Sequence, residues 1–128
     1  MLRRIWIIGL LVGALLPLSV QAQEYGSGWR LEYYDSTDLS GGIEAIASAD
    51  RIDLNWTDDD PAVPDGIDKS EFSLIAETQL NFEQGTYRFR VGSDDGVRLY
   101  VDNILGIDSF VARAYVEDED SADFYLPE

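Results

Sequence analysis

The chain contains no cysteine and no histidine, and Lys69 is its single lysine. Without cysteine there can be no disulfide, no thiolate metal site and no lipid attached through a thiol at a processing site. Without histidine the commonest general base and the commonest nitrogen ligand are both missing. No serine stands in a nucleophile elbow and no glycine-rich loop is spaced to cradle a phosphate. Positive charge is also scarce: nine basic residues face 25 acidic ones, a formal net charge of −16. That balance disfavours a nucleic-acid role, because phosphate binding needs clustered positive charge, and disfavours an anionic membrane surface for the same reason. No internal repeat is present.

One long apolar run is present, at residues 5–20, preceded by Arg3 and Arg4 and followed by Val20, Gln21 and Ala22. A charged start, an apolar stretch and small residues at positions −3 and −1 of a cut after Ala22 are the pattern of a secretory signal peptide. The run falls short of the about 20 apolar residues a membrane span needs, and Pro17 breaks its end. We therefore expect residues 1–22 to be a removed leader and residues 23–128 to be one domain that does not insert into the membrane. Its destination is the periplasm, the cell surface or the medium. Removing Arg3 and Arg4 makes the remaining domain still more acidic, which suits a medium whose salt or Ca²⁺ screens self-repulsion.

Within residues 23–128 the periodicity is that of strands. Trp29, Leu31 and Tyr33 alternate with Arg30, Glu32 and Tyr34, and Ile52, Leu54 and Trp56 alternate with Arg51, Asp53 and Asn55. Ser40, Gly41 and Gly42 form a turn, and residues 57–70 read as a long irregular connection. Phe72, Leu74 and Ala76 open another strand, residues 104–110 a further one, and Phe124, Tyr125 and Leu126 a last short apolar piece. No segment outside the leader has sustained helical spacing. The class is all-β, an antiparallel sandwich or barrel-like sandwich.

The most informative stretch is residues 86–102. Tyr87, Phe89 and Val91 share one side and Arg88 and Arg90 the other; after Asp94-Asp95-Gly96, Val97, Leu99 and Val101 again share a side. This predicts a β-hairpin with a half-buried face and two adjacent carboxylates at its turn. Two carboxylates side by side repel unless a positive charge lies between them, and a strand-anchored loop can hold a hard cation such as Ca²⁺. The alternative is a solvated turn that selects Asp and Gly for their dihedral angles alone.

Taken in order, Gly28-Trp29-Arg30-Leu31-Glu32-Tyr33-Tyr34, Asp38-Leu39-Ser40-Gly41, Ile52-Asp53-Leu54-Asn55-Trp56, Phe72-Ser73, Gly85-Thr86-Tyr87-Arg88-Phe89 and the segment from Ser93 to Asp102 resemble the protective antigen domain, PA-14, from about Trp29 to Leu126. The resemblance implies a β-sandwich of the kind found in secreted adhesins, flocculins, glycosidases and toxins. In sugar-binding members an Asp-Asp pair at the position of Asp94 and Asp95, joined by a cis peptide, holds a Ca²⁺ that binds sugar hydroxyls. Two departures stand out: Ile75 and Ala76 replace the arginine and aromatic usual after Phe72-Ser73, and the strands and second ligand loop expected beyond Leu126 do not follow. The domain thus reads as incomplete at its C-terminal end.

The expected function is a secreted, non-catalytic carbohydrate-binding or adhesion module, Ca²⁺-dependent through Asp94 and Asp95, with a carbohydrate or cell-surface glycan as partner. The alternatives are a spacer or interaction domain without sugar binding, and an appendage of a larger glycosidase with downstream domains. Tyr34 and Tyr100, on the polar faces of their strands, are candidates for stacking on a sugar ring. Trp29 and Trp56 share faces with Leu31 and Leu54 and are read as core. Asp58, Asp59 and Asp60 lack EF-hand spacing and read as a solvated loop. The run from Glu117 to Asp120 reads as surface, with a secondary option of lending an oxygen to the Asp94-Asp95 site. Two neighbouring aspartates in a turn do not offer the separation across a cleft, about 5–9.5 Å, that glycoside hydrolysis requires.

Overall fold

A computed structural model of the chain describes residues 2–9, 28–54, 64–68, 70–114 and 116–128. Eight strands follow one another: β1 (Leu2–Gly9), β2 (Trp29–Tyr34), β3 (Ala45–Ala49), β4 (Ser73–Asn81), β5 (Gly85–Ser93), β6 (Val97–Val101), β7 (Ile104–Ser109) and β8 (Val116–Leu126). Every pairing between them is antiparallel. A six-stranded sheet runs in the order β3-β2-β4-β1-β6-β7, and β5 and β8 form a two-stranded sheet that covers part of it. The fold is an all-β sandwich, as the alternation of apolar residues predicts.

The core lies between these layers in two adjoining clusters. In one, Ile5, Val97, Leu99, Val101 and Ile107 of the large sheet meet Phe124 and Leu126 of β8, with Tyr87, Phe89 and Val91 of β5 packed against them. Phe89 sets its ring edge-on to Phe124 at 5.5 Å between centroids, the favoured geometry for aromatic pairs. In the other, Leu31, Tyr33, Leu74 and Ala76 gather around Ile67. Ile7 and Trp29 touch both clusters, so the core reading of Trp29 holds. Trp56 lies outside the described residues.

Three expectations change. The segments flanking Asp94-Asp95-Gly96 are both strands with the predicted inward faces, but they do not form a hairpin. β5 pairs with β8, whereas β6 pairs with β1 and β7, so the acidic turn is a corner between two sheets. Alternation reveals which side of a strand is buried and is silent on which strand lies beside it. Next, residues 52–54 lie outside any strand, and the partner of β2 is instead Ala45–Ala49. That segment is rich in Ala and Ser, poor strand formers whose pattern carries little signal. The C-terminal apolar piece is the end of an eleven-residue strand that runs along the whole of β5. The structure also places Leu2–Gly9, the start of the expected leader, as strand β1 between β4 and β6 of the large sheet. A short apolar run with β-branched residues is compatible with either role.

Candidate functional site: the acidic corner

Three residues of Ser93-Asp94-Asp95-Gly96 build the corner between β5 and β6. Ser93 ends β5 and its hydroxyl donates to the Asp95 carbonyl at 2.9 Å. Asp95 takes up a left-handed backbone conformation, φ 59°, one that Asp tolerates better than most residues. Gly96 then passes directly beneath residues 110–111: a Cβ there would lie 2.6 Å from the Val111 nitrogen and 2.8 Å from Phe110 Cα, so only glycine fits. The expected cis peptide is absent, since every described peptide bond is trans.

The segment after β7 closes the corner. The Asp95 N–H donates to the Arg113 carbonyl at 2.9 Å, and the Arg113 N–H donates back to Asp95 Oδ1 at 3.1 Å. The Arg113 guanidinium donates to Ser93 Oγ at 3.0 Å and pairs with Asp120. Ser109 Oγ donates to the other oxygen of Asp120 at 2.6 Å. Arg113, foremost, and then Ser109 hold the Asp120 carboxyl below the usual carboxylate range. Asp120, from the acidic run expected on the surface, therefore secures the corner by neutralising Arg113. The side chains of residues 117–119 lie outside the description.

Asp94 is exposed at the outer tip and Asp95 is half-buried. One oxygen of Asp95 is engaged by the Arg113 amide, so the pair offers the Asp94 carboxylate and the remaining Asp95 oxygen. Ca²⁺ takes about 6–8 oxygens, and among the described residues no group of three or more acidic or histidine side chains converges to hold a metal. These two carboxylates fall short of such a shell, so carbonyls, water and a polyhydroxyl ligand would have to supply most of the oxygens of any cation site here. When bound there, Ca²⁺ would supply a charge that attracts the lone pairs of sugar hydroxyls.

The two aromatic candidates are not brought to this corner. Tyr34 is only 7% exposed; its hydroxyl donates to Glu32 Oε2 at 3.2 Å, and burial raises its phenol pKa while Arg30 works against that. It presents no open ring face to a ligand, because both Tyr33 and Tyr34 at the end of β2 are buried. Three strand spacings, roughly 14 Å, separate β2 from β6 in the sheet. Tyr100 is half-buried on β6 between Trp6 and Leu105. It stands three residues beyond Val97, roughly 10 Å along the strand. The Asp58-Asp59-Asp60 run lies outside the described residues.

Two features escape a reading of the sequence. Arg113 carries no local motif, and only its place opposite Asp95 makes it part of the corner. The second is a depression at the far end of β2, lined by Asp35, Asp38, Asp68 and Glu71. There Ser40 lowers the pKa of Asp38 and Ser70 that of Asp68 by hydrogen bonding to the ionised carboxylates. These are turn-forming contacts of Asx type.

Among the described residues the chain is an antiparallel all-β sandwich with an outward Asp-Asp corner. The chain belongs to the PA14 domain family, whose sequence profile matches residues 24–126. It is also 33% identical over 92 residues to the anti-sigma-I factor RsgI3 of Acetivibrio thermocellus, a match covering 72% of this chain and 14% of that protein. No solved structure matches it significantly.

Proposed function

We propose that this chain is an exported, non-catalytic carbohydrate-binding or adhesion module whose ligand end is the Asp94-Asp95 corner. Membership of the PA14 family over residues 24–126 carries the reading. The acidic composition, with nine basic residues against 25 acidic ones, supports a neutral or cationic partner such as a cell-surface glycan over a polyanion. A cation at the corner, held by Asp94 and Asp95, is the proposed bridge to sugar hydroxyls. Such a hydroxyl gives lone pairs to the metal while its proton donates to a carboxylate. The charged start, apolar run and small residues of positions 3–22, read as a leader, support export to the periplasm, the cell surface or the medium.

A second reading is favoured by the corner itself. Asp95 is tied to Arg113 by two hydrogen bonds, so the Asp-Asp turn has a structural task that needs no ligand, as in a spacer or interaction domain. The match to a small part of a much larger anti-sigma factor supports a module that serves attached domains. Glycan-array binding of the full chain with Ca²⁺ and with chelator separates the two. Binding that chelator and Asp94→Asn both abolish supports the lectin reading; no binding to any glycan in Ca²⁺ refutes it in favour of the spacer.

A further inference from the structure

The central lane of the large sheet is filled from outside the family domain. The PA14 match begins at residue 24, yet β1, Leu2–Gly9, lies between β4 and β6. It is paired on one side from Leu2 opposite Asn81 to Gly9 opposite Leu74, and on the other from Ile5 opposite Val101 to Gly9 opposite Val97. Ile5 is 3% exposed and belongs to the core, and Ile7 bridges its two clusters. At the N-terminal end the Arg3 guanidinium donates to Asp102 at 2.5 Å, and Arg4 exchanges hydrogen bonds with the same residue, N–H to Oδ1 at 3.2 Å and carbonyl from the Asp102 N–H at 3.0 Å. Without β1, β4 and β6 would stand two strand spacings apart, about 9.6 Å, too far to pair with each other. Each would face the gap with a row of unpaired N–H and C=O groups.

We propose that the lane between β4 and β6 is a strand-binding site. Leu2–Gly9 fills it in the intact chain; once the leader is cut, it takes an extended segment of another polypeptide with the same chemistry. That chemistry is β-branched apolar residues at the two positions of Ile5 and Ile7 and a basic residue two places before the first, to meet Asp102. The lane's backbone edges supply affinity, its alternate inward positions supply selectivity, and the domain's net negative charge favours a basic segment. The second half of the proposal rests on the leader reading made above.

The test begins with the full chain, folded, carrying a site-specific protease sequence in place of residues 18–22. After cutting, the strand-binding site predicts that the N-terminal fragment stays with the body in native mass spectrometry and gel filtration. It also predicts that a labelled synthetic peptide of residues 2–9 exchanges into the complex, and that the same peptide with Ile5→Asp and Ile7→Asp does not. Amides of β4 and β6 should stay protected from hydrogen exchange while the lane is filled, and lose protection in a way added peptide reverses if it empties. Release of the fragment with an unchanged melting curve and unchanged β4 and β6 protection overturns the proposal, as does equal exchange of the wild-type and Asp-substituted peptides. N-terminal sequencing of exported protein reports separately on the leader: an uncut terminus refutes leader removal and leaves the lane result standing.

Discussion

Asp95 and Arg113 hold each other by a reciprocal pair of hydrogen bonds, backbone to backbone at 2.9 Å and backbone to carboxylate at 3.1 Å. That pair joins the β5–β6 corner to the segment between β7 and β8, and the Arg113 guanidinium extends the link to Asp120. The corner is thereby anchored at its root, while its tip, Asp94, faces solvent.

The metal proposal makes a clear prediction at that tip. If Ca²⁺ binds the folded chain alone, saturation at a hundred times the dissociation constant raises stability by about 2.7 kcal/mol. Asp94→Asn should abolish the Ca²⁺-dependent rise in Tm and leave the metal-free Tm nearly unchanged, since Asp94 is exposed. Asp59→Ala should keep the rise. Scanning calorimetry with Ca²⁺ and with chelator is the check, and equal behaviour of the two variants would sink the site.

Acid should loosen the root before the rest of the core. The Asp120 carboxyl is held below its ordinary value by Arg113 and Ser109, so its folded pKa lies under its unfolded one. Its contribution is therefore complete above the unfolded value, roughly 3.9, and is lost as pH falls through the lower folded value. Asp123, held down by Arg88 across β5 and β8, acts in the same direction. Asp120→Asn should flatten the fall in stability below about pH 4. Urea melts of both proteins between neutral and acid pH would reveal a persisting slope if the pairing is unimportant.

Gly96→Ala tests the close passage under Phe110 and Val111. The added Cβ meets backbone atoms at 2.6–2.8 Å, which cannot rotate aside as a side chain would, so we expect a loss of about 1–3 kcal/mol. Gly42→Ala, where a Cβ meets nothing within 4 Å, is the control and should change stability little. Chemical denaturation giving equal midpoints for the two variants would show that the corner is more open than described.

Tyr34 should prove structural. Tyr34→Phe removes the hydrogen bond to Glu32 and should cost about 0.5–1.5 kcal/mol, without altering glycan or Ca²⁺ binding. A change in binding at unchanged stability, measured by titration calorimetry and melting, would return this ring to the ligand site.

What was legible along the chain is what depends on near neighbours. The alternation of Tyr87, Phe89 and Val91, and of Val97, Leu99 and Val101, places these side chains on the buried side of their strands. A two-residue period follows from the extended backbone itself, whatever lies beside it. Asp102-Asn103, both with positive φ, likewise makes the tight turn from β6 to β7 from local chemistry.

The sequence by itself thus determined an all-β, acidic domain free of cysteine and histidine, the inward faces of its strands, and the Asp94-Asp95 turn. Tertiary structure alone decided that β5 and β6 belong to different sheets, that Tyr34 is covered, and that β1 occupies the central lane. It also paired Asp95 with Arg113, 18 residues away, and Arg3 with Asp102, 99 residues away. The physical reason is that a strand's periodicity is a property of its own backbone, whereas its edges bond to whichever distant segment buries the complementary face.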